Sequence, residues 1–278
     1  MPPISTPAPP PTVLVLSGLD PTGGAGLQAD IEALISMGCH PLPLVTSLTT
    51  QDTHNVFAIH PTDPAILQSQ AQTLLADIAP QAIKVGLIGD AAVARSVVQI
   101  IRTALADNPY IPVVIDPILA AGGGAELAGD SLIEVLREQL LPLTTVLTPN
   151  LPEARRLTDR TTVADCATCL LDMGCEFVLL TGAHDDTEQV ENHLYGEGRR
   201  LDKLSWPRLP GSYHGSGCTL ASALTGLLAH GQTPLEASYE AQHYTWQTLN
   251  QAQSLGGGQA IPNRLFWTSQ REPTPCPP

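Results

Sequence analysis

Thr12-Val13-Leu14-Val15-Leu16-Ser17, followed by Gly18-Leu19-Asp20-Pro21-Thr22-Gly23-Gly24-Ala25-Gly26, is the stretch whose reading decides the fold. The first six residues are apolar and β-rich and predict a buried strand. Four glycines and a proline then predict a loop, and Leu27 to Met37 carries helical periodicity until Gly38 stops it. Strand, glycine loop and helix in that order form the phosphate- or substrate-binding unit of α/β proteins. The loop has no Lys-Ser/Thr ending for a P-loop and no G-x-G-x-x-G order, so the sequence argues against a dinucleotide site.

Outward from this unit the alternation repeats. Strands are predicted at Leu42 to Ser47, Ala82 to Leu87, Pro112 to Ile115, Thr145 to Leu147 and Phe177 to Leu180. Helices are predicted at Pro64 to Ala76, Ala91 to Leu105, Asp130 to Gln139, Pro152 to Leu157 and Val163 to Met173. Gln51 to His54 reads as a polar loop. His193 to Tyr195 and Arg200 to Leu204 read as a hairpin, and helices at Thr219 to Ala229 and Pro234 to Gln251 close the chain. Such alternation with short connections implies a mostly parallel sheet covered on both faces. Gly18, Asp20, Gln51, Asp116, Asn150 and Thr181 then fall just after strands, along the edge where α/β folds keep their sites.

A second glycine stretch, Gly211-Ser212-Tyr213-His214-Gly215-Ser216-Gly217-Cys218-Thr219, runs into an apolar helical segment from Leu220 to Leu228. Glycines let backbone N–H groups approach a ligand, and a following helix aims free N–H groups and its positive dipole end at the same point. Gly215, Ser216 and Gly217 are therefore read as an anion-holding turn. Cys218 falls in the first helical turn, where a thiol ionises most easily. An ordinary glycine-rich turn entering a buried helix is the competing reading of this stretch alone, and the first glycine loop shifts the balance.

The 278 residues are 43% hydrophobic, enough for a large core, with no composition break marking a second domain. Asp and Glu outnumber Lys and Arg by 27 to 13, and the net charge of -14 argues against nucleic-acid and anionic-membrane partners. Residues 1–11 read as a disordered Pro-rich tail, 12–270 as one domain and 271–278 as a second tail. The start is not a secretory signal and no apolar run approaches the ~18 residues of a membrane span, so a soluble, cytoplasmic protein is expected. Cys166-Ala167-Thr168-Cys169 has nominal zinc or redox spacing but no second pair, so buried thiols on a core-facing helix are the preferred reading.

Ser17 to Asp30 resembles the opening of the hydroxymethylpyrimidine/phosphomethylpyrimidine kinases of thiamine biosynthesis, which belong to the ribokinase-like superfamily. The resemblance continues through Lys84-Val85-Gly86-Leu87, Asp116-Pro117-Ile118-Leu119 and Thr148-Pro149-Asn150-Leu151-Pro152-Glu153-Ala154, and ends in His214-Gly215-Ser216-Gly217-Cys218-Thr219. It implies a ribokinase-like three-layer α/β/α sandwich with a mostly parallel central sheet. It also implies an ATP- and Mg2+-dependent kinase that phosphorylates 4-amino-5-hydroxymethyl-2-methylpyrimidine and then its monophosphate. By matching positions Gly18, Asp30 and Gln51 would hold the aminopyrimidine, with Leu87 and Ile118 as pocket walls. Asp116, Asn150, Glu153 and Thr181 would serve ATP, with Asp116 and Glu153 managing the metal. Gly215, Ser216, Gly217 and Cys218 would be catalytic, with Cys218 where sugar kinases carry an Asp base. Family members often form dimers, so a homodimer is expected by analogy.

Plainer roles compete at several of these positions. Asp30 could be a solvated carboxylate on a helix face, Glu153 a carboxylate complementing a helix dipole, and Leu87 and Ile118 core residues. The sequence also departs from the pattern. Ala121-Gly122-Gly123-Gly124 stands where the family often has Lys-Ser-Gly, and Thr181-Gly182-Ala183-His184 where it has Lys-Gly-Gly-His. Two phosphate-meeting cations are missing, which puts the efficiency of one phosphorylation step in doubt. A vitamin B6 kinase of the same fold and a non-catalytic pyrimidine-binding effector protein are the alternative functions.

Overall fold

A computed structural model describes residues 8–120, 128–182 and 188–270. The opening run forms β1 (Thr12–Leu19), parallel to β2 (His40–Gln51) on one side and β4 (Ala82–Val85) on the other. Leu14 and Leu16 face one side of the sheet while Val13 and Val15 face the other, and all four are fully buried. Burial on both faces explains why β1 reads as a continuous apolar run rather than an alternating one. β5 (Val113–Ile115), β6 (Val146–Leu147) and β7 (Phe177–Thr181) extend the parallel sheet.

Antiparallel strands finish both edges: β3 (Val56–Pro61) beside β2, then β8 (Gln189–Gly196) and β9 (Arg199–Pro207) beyond β7. Among the described residues the order is β3-β2-β1-β4-β5-β6-β7-β8-β9. One core packs α2 (Pro64–Leu75), α3 (Ala91–Asp107), α4 (Asp130–Val135), α5 (Leu151–Thr158) and α6 (Val163–Asp172) against the sheet. On the opposite face lie α1 (Gly26–Ser36), α7 (Ser216–Ala229) and α8 (Pro234–Asn250). Cys166 lies in the first of these cores. No helix among the described residues is long and apolar enough to cross a membrane.

Three elements differ from the sequence reading. β3 was not predicted: it is an edge strand with no residue fully inside and Phe57 67% exposed, so it shows no apolar alternation. The helix expected to Gln139 changes at Leu136 into a π-turn and then a short 3-10 turn at Leu141–Leu143, where Pro142 offers no N–H to an α-helix. β2 extends to Gln51, which therefore ends a strand rather than opening a loop. Ala121 to Gly124, Ala183, His184 and most of both tails lie outside the described residues.

Capping sorts the helices. Asp63, Asp90, Asn150 and Thr233 side chains cap α2, α3, α5 and α8. Thr162 caps α6, while α1, α4 and α7 have no side-chain cap. Of these, α1 and α7 begin at the carboxyl ends of the parallel strands, which leaves their first N–H groups for another partner there.

Candidate active site

A cleft of about 540 Å³ runs along those strand ends. It brings together Gly18 from β1, Gln51 from β2, Leu87, Asp116 and Ile118 from the segments after β4 and β5, Asn150 and Glu153 at the start of α5, and Thr181 at the end of β7. Gly215, Ser216, Gly217 and Cys218 close it from the other face. Every residue proposed from sequence lines this cleft except Asp30.

Gly215 begins α7 with φ +70°, and a side chain there would meet the Gly24 carbonyl 2.0 Å away. The tight approach locks the two glycine stretches together and turns the first N–H groups of α7 into the cleft. A Cβ at Gly217 would stand 3.5 Å from the Asp116 carboxylate, so this helix start and Asp116 face each other across a narrow gap. The Cys218 thiol is buried among Asp116, Asp30, Lys84 and the Gly26 backbone, all of which act on its ionisation. Its ionisation differs from the sequence expectation. Burial pushes the thiol up to about 12, and the Asp116 and Asp30 charges add to this against the pull of Lys84 and Gly26. Desolvation outweighs the helix terminus.

Asp116 and Glu153 form a second group. Burial raises the Asp116 carboxyl to about 6 despite the Lys84 ammonium. Burial and the Asp116 charge raise Glu153 to about 7. Glu153 accepts from the N–H groups of Leu119 at 3.2 Å and Asn150 at 3.0 Å, while Asn150 caps the Glu153 N–H at 2.9 Å. The reciprocal pair is a capping box, so the structural role weighed for Glu153 is present and coexists with its place in the cleft.

Asp30 needs correction. Its side chain is 0% exposed, lies on the sheet-facing side of α1, and accepts from Lys84 Nζ and Ser222 Oγ, each at 2.7 Å. It does not line the cleft and is not a solvated carboxylate; it is the counter-ion of a lysine enclosed by the sheet. The charge of Lys84 inside the apolar run Ala82–Val85 was the signal for such a partner. Asp30→Asn is therefore expected to destabilise the protein by about 3–5 kcal/mol, read by urea unfolding, because it leaves a buried ammonium uncompensated. A loss under about 1 kcal/mol would show that the pair is dispensable.

Two further residues were underrated from sequence. Asp20 Oδ2 lies 2.7 Å from His214 Nε2 and accepts from the Ala25 N–H at 2.9 Å, and the Gln51 amide lies 3.2 Å from the same His214 nitrogen. Burial alone would raise the Asp20 carboxyl, but hydrogen bonds from His214 and Thr22 hold it below its usual value. An anionic Asp20 thus orients His214, whose Nε2 lies beside the Gln51 amide at the cleft wall. Ile118 sits at φ 36°, where a β-branched side chain is strained, at the mouth of the same cleft.

A family model described as phosphomethylpyrimidine kinase matches residues 20–263. The chain belongs to the phosphomethylpyrimidine kinase family. A hydroxymethylpyrimidine/phosphomethylpyrimidine kinase of Mycobacterium tuberculosis is 35% identical over 263 residues, 92% of this chain and 94% of that protein. A thiamine biosynthesis bifunctional protein of Geobacter sulfurreducens is 34% identical over 261 residues. Those residues cover 92% of this chain but 52% of that protein, so the chain spans about half the length of such bifunctional relatives. Among solved structures, a pyridoxal kinase from Staphylococcus aureus in complex with AMP-PCP and pyridoxal superposes with a TM-score of 0.83. It is 25% identical, with 94% of this chain and 95% of that chain covered. The motif resemblance and the ribokinase-like α/β/α fold it implied are both borne out for this phosphomethylpyrimidine kinase family member.

Proposed function

We propose that the cleft transfers the terminal phosphoryl group of ATP to the hydroxymethyl oxygen of 4-amino-5-hydroxymethyl-2-methylpyrimidine, and then to the monophosphate so formed. The observation that carries this reading is the uncapped start of α7 facing Asp116 across the narrow gap at Gly217. Phosphoryl transfer asks mainly for positioning and charge stabilisation, which free N–H groups at a helix start supply. Gly18 and Gln51 would recognise the aminopyrimidine, a donor and acceptor pattern suited to a backbone and an amide. Leu87 and Ile118 would wall the ring, and Thr181 with Asn150 would line the ATP side. We read the enzyme as cytoplasmic and, by family analogy, as a homodimer, which sedimentation would check.

Magnesium fits the residues present. Two buried carboxyls held high by burial gain from a divalent cation, and among the described residues no group of three acidic, His or Cys side chains competes to enclose one. That matches an ion that keeps waters and substrate phosphates as ligands. Asp116 would hold it, with Glu153, whose oxygens already accept two N–H groups, acting through water. Bound there, the ion would neutralise phosphate oxygens. Activity is therefore expected to fall on the acid side as pH drops through about 7 and then about 6 and these carboxyls take up protons. Raised carboxyl values also mean that the metal-free fold loses stability as pH rises toward that window. Added Mg2+ should therefore raise Tm more at about pH 8 than at about pH 5.5. Equal shifts would remove the ion from this pair, and an unaltered Mg2+ requirement in Glu153→Gln would leave that residue a helix cap alone.

A second substrate reading has one observation in its favour, the close superposition on a kinase holding pyridoxal. A panel of hydroxymethylpyrimidine, its monophosphate, pyridoxal and pyridoxine with Mg-ATP separates the two. Higher kcat/KM for the pyrimidines is the expected result. A much higher value for pyridoxal would overturn the assignment, and no turnover of any of them would favour a non-catalytic binding protein.

A further inference from the structure

Arg264 is among the most completely buried large side chains in the protein, with 0% side-chain exposure, yet it lies outside the cleft lining. Its guanidinium is spread over three separate elements. Nε donates to Thr219 Oγ1 at 2.8 Å, in the first turn of α7. Nη1 donates to the Gly23 carbonyl at 3.3 Å and to Glu32 Oε2 on α1 at 3.2 Å, and Nη2 donates to the Gly24 carbonyl. Its own carbonyl is fixed as well, accepting from Ser36 Oγ at 2.7 Å and Tyr244 OH at 2.8 Å.

These bonds lead into the cleft by two short routes. Thr219 Oγ1, held by Nε, donates to the Gly215 carbonyl at 2.8 Å and so ties down the turn that starts α7. The peptide joining Gly24 to Ala25 has its carbonyl on Arg264 and its N–H on Asp20, and Asp20 in turn holds His214 beside Gln51. The next residue, Gly26, packs its backbone against the Gly18 carbonyl, where a Cβ would clash. A Cβ at Gly215 would lie 2.9 Å from Nη2, so the guanidinium sits at the seam where the two glycine stretches meet.

We propose that Arg264 is a positioning residue that locks the Gly23–Gly26 loop and the Gly215–Thr219 turn into one rigid surface, coupling the pyrimidine-facing and phosphoryl-facing sides of the cleft. A planar fork with donors in several directions spans such a seam; a lysine of similar charge offers one point and cannot reach Thr219 and both carbonyls together.

The test compares wild type with Arg264→Lys and Arg264→Met. In the ligand-free protein, amide hydrogen exchange at Ala25, Gly26 and Thr219 is expected to speed up together by roughly ten- to a hundredfold in Arg264→Lys, with α3 unchanged. This arm does not depend on the proposed reaction. In steady-state assays, which do rest on that reaction, kcat is expected to fall about a hundredfold while the KM for ATP moves little, since misplacement of about 1 Å costs that much. Arg264→Met should be at least as impaired. If Arg264→Met does not fold, Arg264→Lys decides alone. Faster exchange at the first loop only, or a uniform rise across the protein including α3, would overturn the coupling and leave Arg264 a general stabiliser. Coupled exchange without any loss of kcat would overturn its role in positioning. A wild type that phosphorylates no pyrimidine would sink the functional reading while the exchange result still judges the lock.

Discussion

Cys218→Ala is expected to lower kcat by about a hundredfold, the lower end of the range for a general base, while leaving ATP affinity in place. The substitution removes the sulfur and keeps the N–H at the start of α7. The thiol is neutral in the folded protein, because burial and two nearby carboxylates raise it to about 12. A full thiolate is therefore not available to take the hydroxyl proton from the substrate at neutral pH. The thiol lies beside Asp116, which the bound ion would occupy, so the side chain can offer only a relay in which it takes the hydroxyl proton as its own passes to a phosphoryl oxygen. A loose transition state needs this help only late, which keeps the side chain's share small. Rapid-quench measurement of the transfer step separates chemistry from product release. Activity within about threefold of wild type would remove the thiol from proton transfer and leave the backbone as the catalytic element.

Gly215→Ala should be at least as damaging, although it removes no functional group. The residue holds φ +70°, a conformation that costs an alanine about 1–2 kcal/mol. The added methyl would also stand 2.0 Å from the Gly24 carbonyl and 2.9 Å from the Ala25 Cα, both backbone atoms that cannot swing aside. One glycine stretch must retreat from the other, carrying the α7 N–H groups away from Asp116. A loss of kcat of more than about a hundredfold is expected, because the reacting groups tolerate little displacement. Circular dichroism and Tm should report a folded protein, since both stretches lie at the sheet's edge and not in its core. A folded Gly215→Ala with near wild-type kcat would contradict the assignment of the turn as the phosphoryl-holding element.

The two substitutions together apportion catalysis between a side chain and a backbone, and the proportion bears on how the sequence is read. Gly215, Ser216, Gly217 and Cys218 are adjacent, and their spacing alone announces a helix start open to an anion. Their relation to Asp116 is not local. It exists because β5 and α7 meet at the same end of the sheet, about a hundred residues apart in the chain.

Local pattern by itself determined the α/β class, the mostly parallel central sheet and the strand-end places of Gly18, Gln51, Asp116, Asn150 and Thr181, while Leu87, Ile118 and Glu153 came from the family resemblance. Apolar runs flanked by glycine and proline can fold in few ways, and residues placed just after parallel strands must gather on one edge. The chain could not announce β3 in the same way, since an exposed edge strand has no core to pattern it. Side-chain direction and environment were decided only by the tertiary structure. Asp30 stands in the most recognisable motif, but the face of α1 it occupies turns it to Lys84 on β4 instead of into the cleft. The ionisation of Cys218 follows from what packs over it, and desolvation there exceeds any effect of the helix start that the sequence shows. Arg264 carries no local signal at all: it is read as functional only once the fold brings it to Gly24, 240 residues earlier in the chain. A charge or polar group takes its meaning from the partners and the solvent it loses on folding, and those are properties of the packed molecule.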